Sequence, residues 1–240
     1  MKTVLVHGVS LATIDQGKGR PILLVHAFPL DHSMWDAQIA ALAARWRVIA
    51  PDLRGFGRSA VTEGTVTMEQ MADDLAGLLD ALGVAEPIVY CGLSMGGYVG
   101  WEFYRKQASR LRGMILCDTR AIAASAELRQ SRKLMIDRLL NEGPEPVAQA
   151  IIPKLLTAST IASHPELAAG VHRMILASDR QGLAAALRGS AQRPDSTALL
   201  PEIRCPCLVI VGKHDAISTL EEMRIIAAKI PQGATVQNVS

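Results

Sequence analysis

The sequence predicts an α/β fold built on a mostly parallel sheet of eight strands, and two observations carry that prediction. Short apolar runs rich in β-branched residues alternate with longer segments of helical periodicity, which is the pattern of successive strand–helix units. The chain has 240 residues and 49% of them are hydrophobic, which is enough to bury a core without disulfides. The predicted strands cover residues 3–6, 11–15, 21–26, 47–50, 87–91, 113–117, 207–211 and 235–239.

The first two strands are predicted to form an antiparallel hairpin at the edge of the sheet, because the short segment 8–10 joins them. Predicted helices between the later strands cover residues 32–44, 68–82, 95–106 and 220–229. In the second of these helices, Thr67 with Gln70 forms a capping box at the start, and Gly83 is a C-cap at the end. The helix between these caps carries apolar residues at helical spacing, which indicates that one of its faces packs on the sheet.

The alternation of strands and helices stops at about residue 120 and resumes at about residue 200. The intervening stretch is rich in Ala and Leu and contains no convincing strand. Helical periodicity is found there over residues 128–140, 164–178 and 181–191. An all-helical insertion between two parallel strands predicts a cap above the carboxyl edge of the sheet, where ligands bind in open α/β folds. We therefore expect an α/β core over 1–119 and 201–240, and a helical cap over 120–200.

Composition excludes several classes of function. A formal net charge of +2 provides no basic surface for nucleic acid. No run approaches the length of a membrane span, and the N-terminus lacks a signal-peptide core, so we expect a cytoplasmic protein. Metal and organic cofactors are also not expected, because the sequence has no zinc-ligand spacing, phosphate-binding loop or dinucleotide fingerprint. The four cysteines are interpreted as small buried hydrophobes or isolated thiols: Cys91, Cys117, Cys205 and Cys207.

The strongest functional signal is a serine between two glycines, in Gly92-Leu-Ser94-Met-Gly96. A strand precedes this motif and a helix follows it, which is the context of a nucleophile at a sharp turn. Gly92 and Gly96 leave room where a Cβ would clash, so Ser94 can adopt a strained conformation with its hydroxyl above the sheet. The motif predicts that Ser94 is a nucleophile and that the helix starting at Met95 directs free N–H groups toward its target.

Two other loops are predicted to lie beside Ser94. The strand ending at His26 leads into Ala27, Phe28 and Pro29, and the backbone N–H of Phe28 could join that of Met95 in binding a tetrahedral oxyanion. His26 is interpreted as an imidazole that anchors this loop. The Gly-rich turn after the next strand carries two charged residues, which are interpreted as braces for their loop: Asp52 and Arg54.

Two acids follow later strands, and either could serve as a catalytic carboxylate. Asp215 comes just after the strand at 207–211, and Asp118 just after the strand at 113–117. We favour Asp215, because it gives the order nucleophile, acid, base that is found when a serine lies in this type of turn.

Together, the segments His26-Ala-Phe-Pro, Asp52-Leu-Arg-Gly-Phe-Gly-Arg-Ser, Gly92-Leu-Ser-Met-Gly-Gly and Gly212-Lys-His-Asp resemble the α/β-hydrolase superfamily. They are most similar to its 3-oxoadipate enol-lactonases, small carboxylesterases and cofactor-free haloperoxidases (perhydrolases). The resemblance implies that Ser94 is the nucleophile, Asp215 the triad acid, and Phe28 and Met95 the oxyanion donors. It also implies hydrolysis of small carboxylic esters or lactones through an acyl-enzyme, or perhydrolysis at the same site. Ala27 departs from the family's usual glycine and adds a methyl group beside the oxyanion loop.

The catalytic histidine of the family lies in a loop after the last strand, and this sequence ends at Ser240, directly after the predicted last strand. A serine hydroxyl is a weak nucleophile without an adjacent base. The six histidines are interpreted as unsuited to that position: His7 on the edge hairpin, His26 at a strand end, His32 at the start of a surface helix, His164 and His172 in the cap, and His214 next to Asp215. Three hypotheses remain open: a fragment of a longer enzyme, a chain completed by a separate C-terminal piece, or a non-catalytic relative that binds a small ligand.

Overall fold

The computed structural model describes residues 1–232 and 234–239, and its centre is a single eight-stranded sheet. The strands are β1 (Lys2–Val6), β2 (Val9–Gln16), β3 (Pro21–Val25), β4 (Arg47–Pro51), β5 (Ile88–Leu93), β6 (Leu111–Cys117), β7 (Cys207–Gly212) and β8 (Ala234–Val239). Their order is β1-β2-β4-β3-β5-β6-β7-β8. The pairs β1–β2 and β2–β4 are antiparallel and all others are parallel, which confirms the predicted fold class and the edge hairpin.

Nine α-helices are found among the described residues. They are α1 (Asp36–Leu42), α2 (Met68–Ala81), α3 (Met95–Gln107), α4 (Ala126–Glu142), α5 (Glu145–Leu155), α6 (Ala158–Ser163), α7 (Pro165–Leu176), α8 (Arg180–Ala191) and α9 (Leu220–Lys229). The helix predicted over 32–44 is wrong in its first turn, because His32–Trp35 forms a separate 3-10 turn. The Asp31 side chain accepts from the Ser33 N–H and caps that turn, and the α-helix begins only after it.

Local capping explains where α2 begins and ends. The Thr67 side chain accepts a 3.0 Å hydrogen bond from the Gln70 N–H, so Thr67 is the N-cap. The reciprocal bond from the Gln70 side chain, which the predicted capping box needs, is not found among the described residues. At the other end, Gly83 has φ +65°, the left-handed conformation that commonly stops a helix. Between these caps, one face of α2 is buried in the main core through Met71, Leu75 and other apolar residues.

The segment between β6 and β7 contains five of the helices, α4 to α8, and no strand among its described residues. The predicted helical stretches correspond to α4, α7 and α8. Two further helices, α5 and α6, lie outside the predicted stretches. Pro146 and Pro165 occupy the first turns of α5 and α7, where the missing N–H costs nothing. That this segment acts as a cap over residues 120–200 stays a prediction.

Both faces of the sheet bury apolar residues, because successive strand side chains point to opposite sides. In β3, Leu23 and Val25 belong to the main core, whereas Ile22 and Leu24 belong to a smaller cluster on the other face, with Trp35. All four cysteines are buried and free, in agreement with their interpretation as small hydrophobes. None of the described helices has the length and apolar character needed to cross a lipid bilayer.

The parallel strands end at a common edge, and this positions the candidate site. Phe28 follows β3, Ser94 follows β5, Asp118 follows β6, and Asp215 follows β7. Because β3, β5, β6 and β7 are consecutive neighbours in the sheet, the four loops are brought together although they are far apart in the sequence.

Candidate active site

Ser94 occupies a strained turn between β5 and α3. Its backbone has φ +51° and ψ −105°, a conformation that residues other than glycine rarely adopt. Four hydrogen bonds hold it there. The Ser94 N–H donates to the Cys117 carbonyl (2.9 Å), and the Ser94 carbonyl accepts from the Gly97 and Tyr98 N–H groups and from the Thr119 hydroxyl (2.8 Å). Ser94 is half-buried, so the turn is held at the sheet edge without being enclosed.

The flanking glycines are required by space, as the sequence predicts. A Cβ on Gly92 would lie 2.5 Å from the backbone of Gly96, and a Cβ on Gly96 would lie 2.3 Å from the Val25 carbonyl oxygen. These distances are shorter than any normal contact between carbon and backbone atoms. The turn can therefore form only because both positions lack a side chain, and α3 begins directly against the end of β3.

Phe28 lies in the loop that follows β3, and this loop is firmly held. Ala27 is buried, its N–H donates to the Met34 sulfur (3.4 Å), and its carbonyl accepts from the Leu30 N–H (2.9 Å). Since Gly96 contacts the carbonyls of Val25 and of the residue after it, the Phe28 loop and the first turn of α3 are neighbours. The two amides that we expect to bind an oxyanion, those of Phe28 and Met95, thus belong to adjacent backbone segments.

His26 anchors the same loop, as the sequence suggests. The imidazole is fully buried, Nε2 accepts a 2.9 Å hydrogen bond from the Leu53 N–H, and Nδ1 lies 3.0 Å from the Ala27 carbonyl oxygen. These partners fix the neutral tautomer with the proton on Nδ1. Burial lowers the pKa of His26, which also favours the neutral ring. Both ring nitrogens are used in joining the β3 and β4 loops.

Asp52 and Arg54 brace the loop after β4, as the sequence predicts. Asp52 is buried and accepts from the backbone N–H of His32 (2.9 Å) and of Arg58 (2.9 Å). Arg54 forms a bidentate pair with Asp74 on α2, with distances of 2.8 and 2.6 Å. Asp52 thus joins this loop to the loop after β3, and Arg54 joins it to α2.

His32 starts the turn that leads into the mostly exposed helix α1, as the sequence suggests, but its own side chain is largely buried and paired with Asp52. Its Nδ1 lies 2.6 Å from Asp52 Oδ1, and the side chain is only 14% exposed. Burial opposes protonation, but the hydrogen bond and charge of Asp52 outweigh it and raise the pKa of His32. One donor atom each of Asp31, His32 and Asp52 lie within 4.8 Å of one another, which is close enough for a cation. The Asp52 oxygens are occupied by protein hydrogen bonds, so this group fits a loop brace better than a metal site.

Asp118 and Asp215 lie together at the ends of β6 and β7. Asp118 has φ +40°, and its Oδ1 accepts from the Gly212 N–H (2.9 Å). Asp215 Oδ1 accepts from the Ile217 and Ser218 N–H groups (2.5 and 2.7 Å). Burial and the neighbouring Asp215 raise the pKa of Asp118 to about 6. Asp118 and Asp215 line the same cavity of about 280 Å³. The two alternative carboxylates of the sequence analysis are therefore neighbours and form one acidic pair.

Ser94 and Asp215 have no histidine as a hydrogen-bond partner in the part of the chain that the structure describes. His7 is 3.8 Å from Asp74, and His172 is 3.0 Å from Glu145. His164 and His214 are exposed. The structure therefore places the strand ends that carry the candidate nucleophile, acids and amide donors at one edge of the sheet, and no described histidine is hydrogen-bonded to Ser94 or Asp215.

Thr119 and Tyr98 are features of the site that the sequence reasoning missed. Thr119 holds the Ser94 carbonyl, and Tyr98 lies one turn further along α3. Thr119 directly follows Asp118 at the end of β6, and this position beside a candidate acid could have identified it as a residue near the site.

A family model described as alpha/beta hydrolase fold matches residues 20–239. The chain belongs to the α/β-hydrolase family. It is 27% identical to 3-oxoadipate enol-lactonase 2 of Acinetobacter baylyi, over 92% of this chain and 81% of that protein. Among solved structures, a thermophilic esterase from Thermogutta terrifontis with malate bound is 49% identical, with a TM-score of 0.95 over 99% of this chain and 89% of that one.

A second solved relative is the enol-lactonase from Burkholderia xenovorans LB400. It is 31% identical, with a TM-score of 0.93 over 100% of this chain and 91% of that one. These findings confirm the predicted family and the predicted resemblance to its esterase and enol-lactonase members. The α/β-hydrolase fold also accounts for the position of Ser94, since the turn between a strand and a helix is where this fold carries its nucleophile.

Proposed function

We propose that this α/β-hydrolase cleaves small carboxylic esters or lactones through an acyl-enzyme on Ser94. The observation that carries the proposal is the strained backbone of Ser94 (φ +51°), held by Cys117 and Thr119 at the carboxyl edge of the sheet. Strain of this kind persists only where the surrounding structure enforces it, and it clusters at reactive groups. The esterase and enol-lactonase relatives support the same reaction class.

In this mechanism, the Ser94 oxygen attacks the carbonyl carbon of the ester and its proton passes to a base. The amides of Phe28 and Met95 donate to the oxygen that becomes negative in the tetrahedral intermediate. Collapse of that intermediate breaks the bond to the leaving oxygen, which takes the proton from the base. Water then attacks the acyl-enzyme by the same steps, and Ser94 recovers its hydroxyl.

The base in this proposal is an imidazole held against the acidic pair, Asp118 and Asp215. Their cavity of about 280 Å³ is large enough for such a ring, and carboxylates there would orient it and stabilise its charged form. Asp215 Oδ1 is already used by two backbone N–H groups, which leaves Oδ2 to accept from the imidazole.

The experiment supplies free imidazole to the purified chain and follows p-nitrophenyl acetate hydrolysis. Imidazole cleaves this ester in solution, so the rate with Ser94→Ala is subtracted at every concentration. We expect a Ser94-dependent rate that saturates with imidazole, and a peptide carrying Ser94 with the mass of one added acetyl group. Asp215→Asn, whose amide retains the Oδ1 acceptor, should weaken the saturable response.

A second candidate is a ligand-binding relative that does not turn over its ligand. It is favoured by one observation, that none of the histidines contacts Ser94 or Asp215 among the described residues. If Ser94 remains unacetylated with and without imidazole, and a fluorophosphonate probe also leaves it unlabelled, the hydrolase proposal fails and the binding function replaces it.

A further inference from the structure

The hydroxyl of Tyr90 links β5 to the first turn of α3. Tyr90 is fully buried, and its hydroxyl donates a 2.6 Å hydrogen bond to the Gly96 carbonyl. Burial raises the pKa of Tyr90 well above its ordinary value, so the phenol keeps its proton and remains a donor. Tyr90 belongs to the main core, and a hydrogen bond in such surroundings is electrostatically stronger than one in water.

The Tyr90 ring is packed against α3, which gives its hydroxyl a defined position. A Cβ on Gly100 would lie 2.8 Å from Tyr90 Cε1, so the ring passes where this part of the helix has no side chain. The ring also packs against Phe103, with the two ring centroids 5.6 Å apart. Both contacts are made by the ring, so Tyr90→Phe keeps them and removes only the hydrogen bond to Gly96.

Two peptide groups connect this hydroxyl to the amide of Met95. The Gly96 carbonyl and the Gly97 N–H belong to one peptide group, and that N–H donates to the Ser94 carbonyl (2.9 Å). The Ser94 carbonyl and the Met95 N–H belong to a second peptide group. Hydrogen bonds therefore run in one chain from the Tyr90 hydroxyl to the peptide group that carries the Met95 N–H. Hydrogen bonds in such a chain polarise one another, so the bond at one end strengthens the donor at the other.

We propose that Tyr90 is a positioning residue for the oxyanion hole, whose hydroxyl holds and polarises the first turn of α3 so that the Met95 N–H is a fixed and strong donor. This inference rests on the proposed acylation of Ser94. Tyr90 acts only through the backbone, because its side chain is enclosed in the main core. The Met95 N–H donates to an oxygen that becomes negative during the reaction, so a stronger donor stabilises the transition state more than the bound ester.

The test compares Tyr90→Phe with Tyr104→Phe in the full chain. Tyr104 is a buried tyrosine toward the other end of α3, and its hydroxyl donates to the Glu202 carbonyl (2.8 Å) and accepts from the Arg204 N–H (3.0 Å). Each variant removes one hydroxyl that donates to a backbone carbonyl, so both should be less stable than the wild type. Only Tyr90 is connected to the Ser94 turn by the chain of hydrogen bonds.

Acetylation of Ser94 by p-nitrophenyl acetate is measured at saturating imidazole, with the Ser94→Ala rate subtracted and all proteins fully folded. Tyr90→Phe should lower the limiting rate by about three- to tenfold, a part of the roughly 100-fold loss that follows when an oxyanion donor is removed outright. The half-saturating ester concentration should not change, because the donor acts in the transition state. Tyr104→Phe should match the wild type in both quantities.

Amide hydrogen exchange, measured by NMR, tests the chain of hydrogen bonds without any reaction. The Gly97 N–H should exchange faster in Tyr90→Phe than in the wild type or in Tyr104→Phe. Unchanged exchange at Gly97, equal slowing of acetylation in both variants, or a wild-type limiting rate in Tyr90→Phe would each overturn the role of Tyr90 alone. If the wild type itself is not acetylated at Ser94, the proposed function fails and this role fails with it.

Discussion

The Thr119 hydroxyl donates a 2.8 Å hydrogen bond to the backbone carbonyl of Ser94, and this contact ties the end of β6 to the strained turn after β5. Thr119 is fully buried, and a Cβ on Gly97 would lie 2.2 Å from its oxygen, so the hydroxyl fits against the backbone of α3. The strained conformation of Ser94 is thus held from a neighbouring strand as well as from its own helix.

Thr119→Val should therefore loosen the turn without changing the shape of the side chain. We expect a loss of about 1 kcal/mol in the free energy of unfolding, and slower acylation of Ser94, because the carbonyl loses its side-chain donor. Thr119→Ser keeps the hydroxyl and should acylate close to the wild-type rate. Urea denaturation and active-site acylation measure the two effects, and acylation of the valine variant at the wild-type rate would contradict this role.

The second prediction concerns the close approach of Gly96 to the end of β3. In Gly96→Ala, the new methyl group would lie 2.3 Å from the Val25 carbonyl, so α3 must move away from β3. Overpacking of this kind costs about 1–3 kcal/mol, and here it would also displace Met95 from the Phe28 loop. Gly170→Ala is the matched control, because the nearest atom to its new methyl group is the flexible end of Arg173 at 4.0 Å. That variant should gain up to about 1 kcal/mol.

The Arg54–Asp74 pair joins the loop after β4 to α2 through two short hydrogen bonds, and both side chains are almost completely buried. Arg54→Met should cost about 3–5 kcal/mol, because it leaves the Asp74 carboxylate buried without its partner. The double variant Arg54→Met/Asp74→Asn should recover part of that loss. Exposed Arg138→Gln should change stability by less than about 0.5 kcal/mol. Equal losses from the two single arginine variants, measured by denaturant unfolding, would contradict this ranking.

The sequence predicted those parts of the site that local patterns determine. Apolar runs and flanking glycines locate the strand ends, and so they place Ser94, Phe28 and Asp215 at one edge of a parallel sheet. Contacts between distant segments could not be predicted in this way. Asp118 and Asp215 lie close together because β6 and β7 are neighbours in the sheet. The spacing of apolar residues along the sequence predicts where strands lie, but it does not predict the order of the strands in the sheet. The pairing of His32 with Asp52 likewise depends on how the two loops pack together.

The acidic pair gives a pH-dependent prediction whose sign is set by the raised pKa of Asp118. In the folded chain this pKa is about 6, against an ordinary value of 3.8, because of burial and the nearby Asp215. Between these two values the folded state binds more protons than the unfolded state, so the stability that Asp118 contributes falls as the pH rises through that window. Asp118→Asn removes this titration while its amide oxygen can still accept from the Gly212 N–H.

The free energy of unfolding of Asp118→Asn, relative to wild type, should therefore increase from pH 4 to pH 6 and then level off. Asp15 provides a control of opposite sign, because the hydrogen bond to Arg47 lowers the pKa of its carboxyl to about 2. The stability that the Asp15 carboxylate contributes is present above pH 3.8 and is lost as the pH falls toward 2. Asp15→Asn should therefore be less stable than the wild type above pH 3.8, and this difference should disappear near pH 2. Urea titrations across pH 2–7 measure both differences. Parallel pH profiles for the two variants would show that the pKa of Asp118 is not raised in the folded chain.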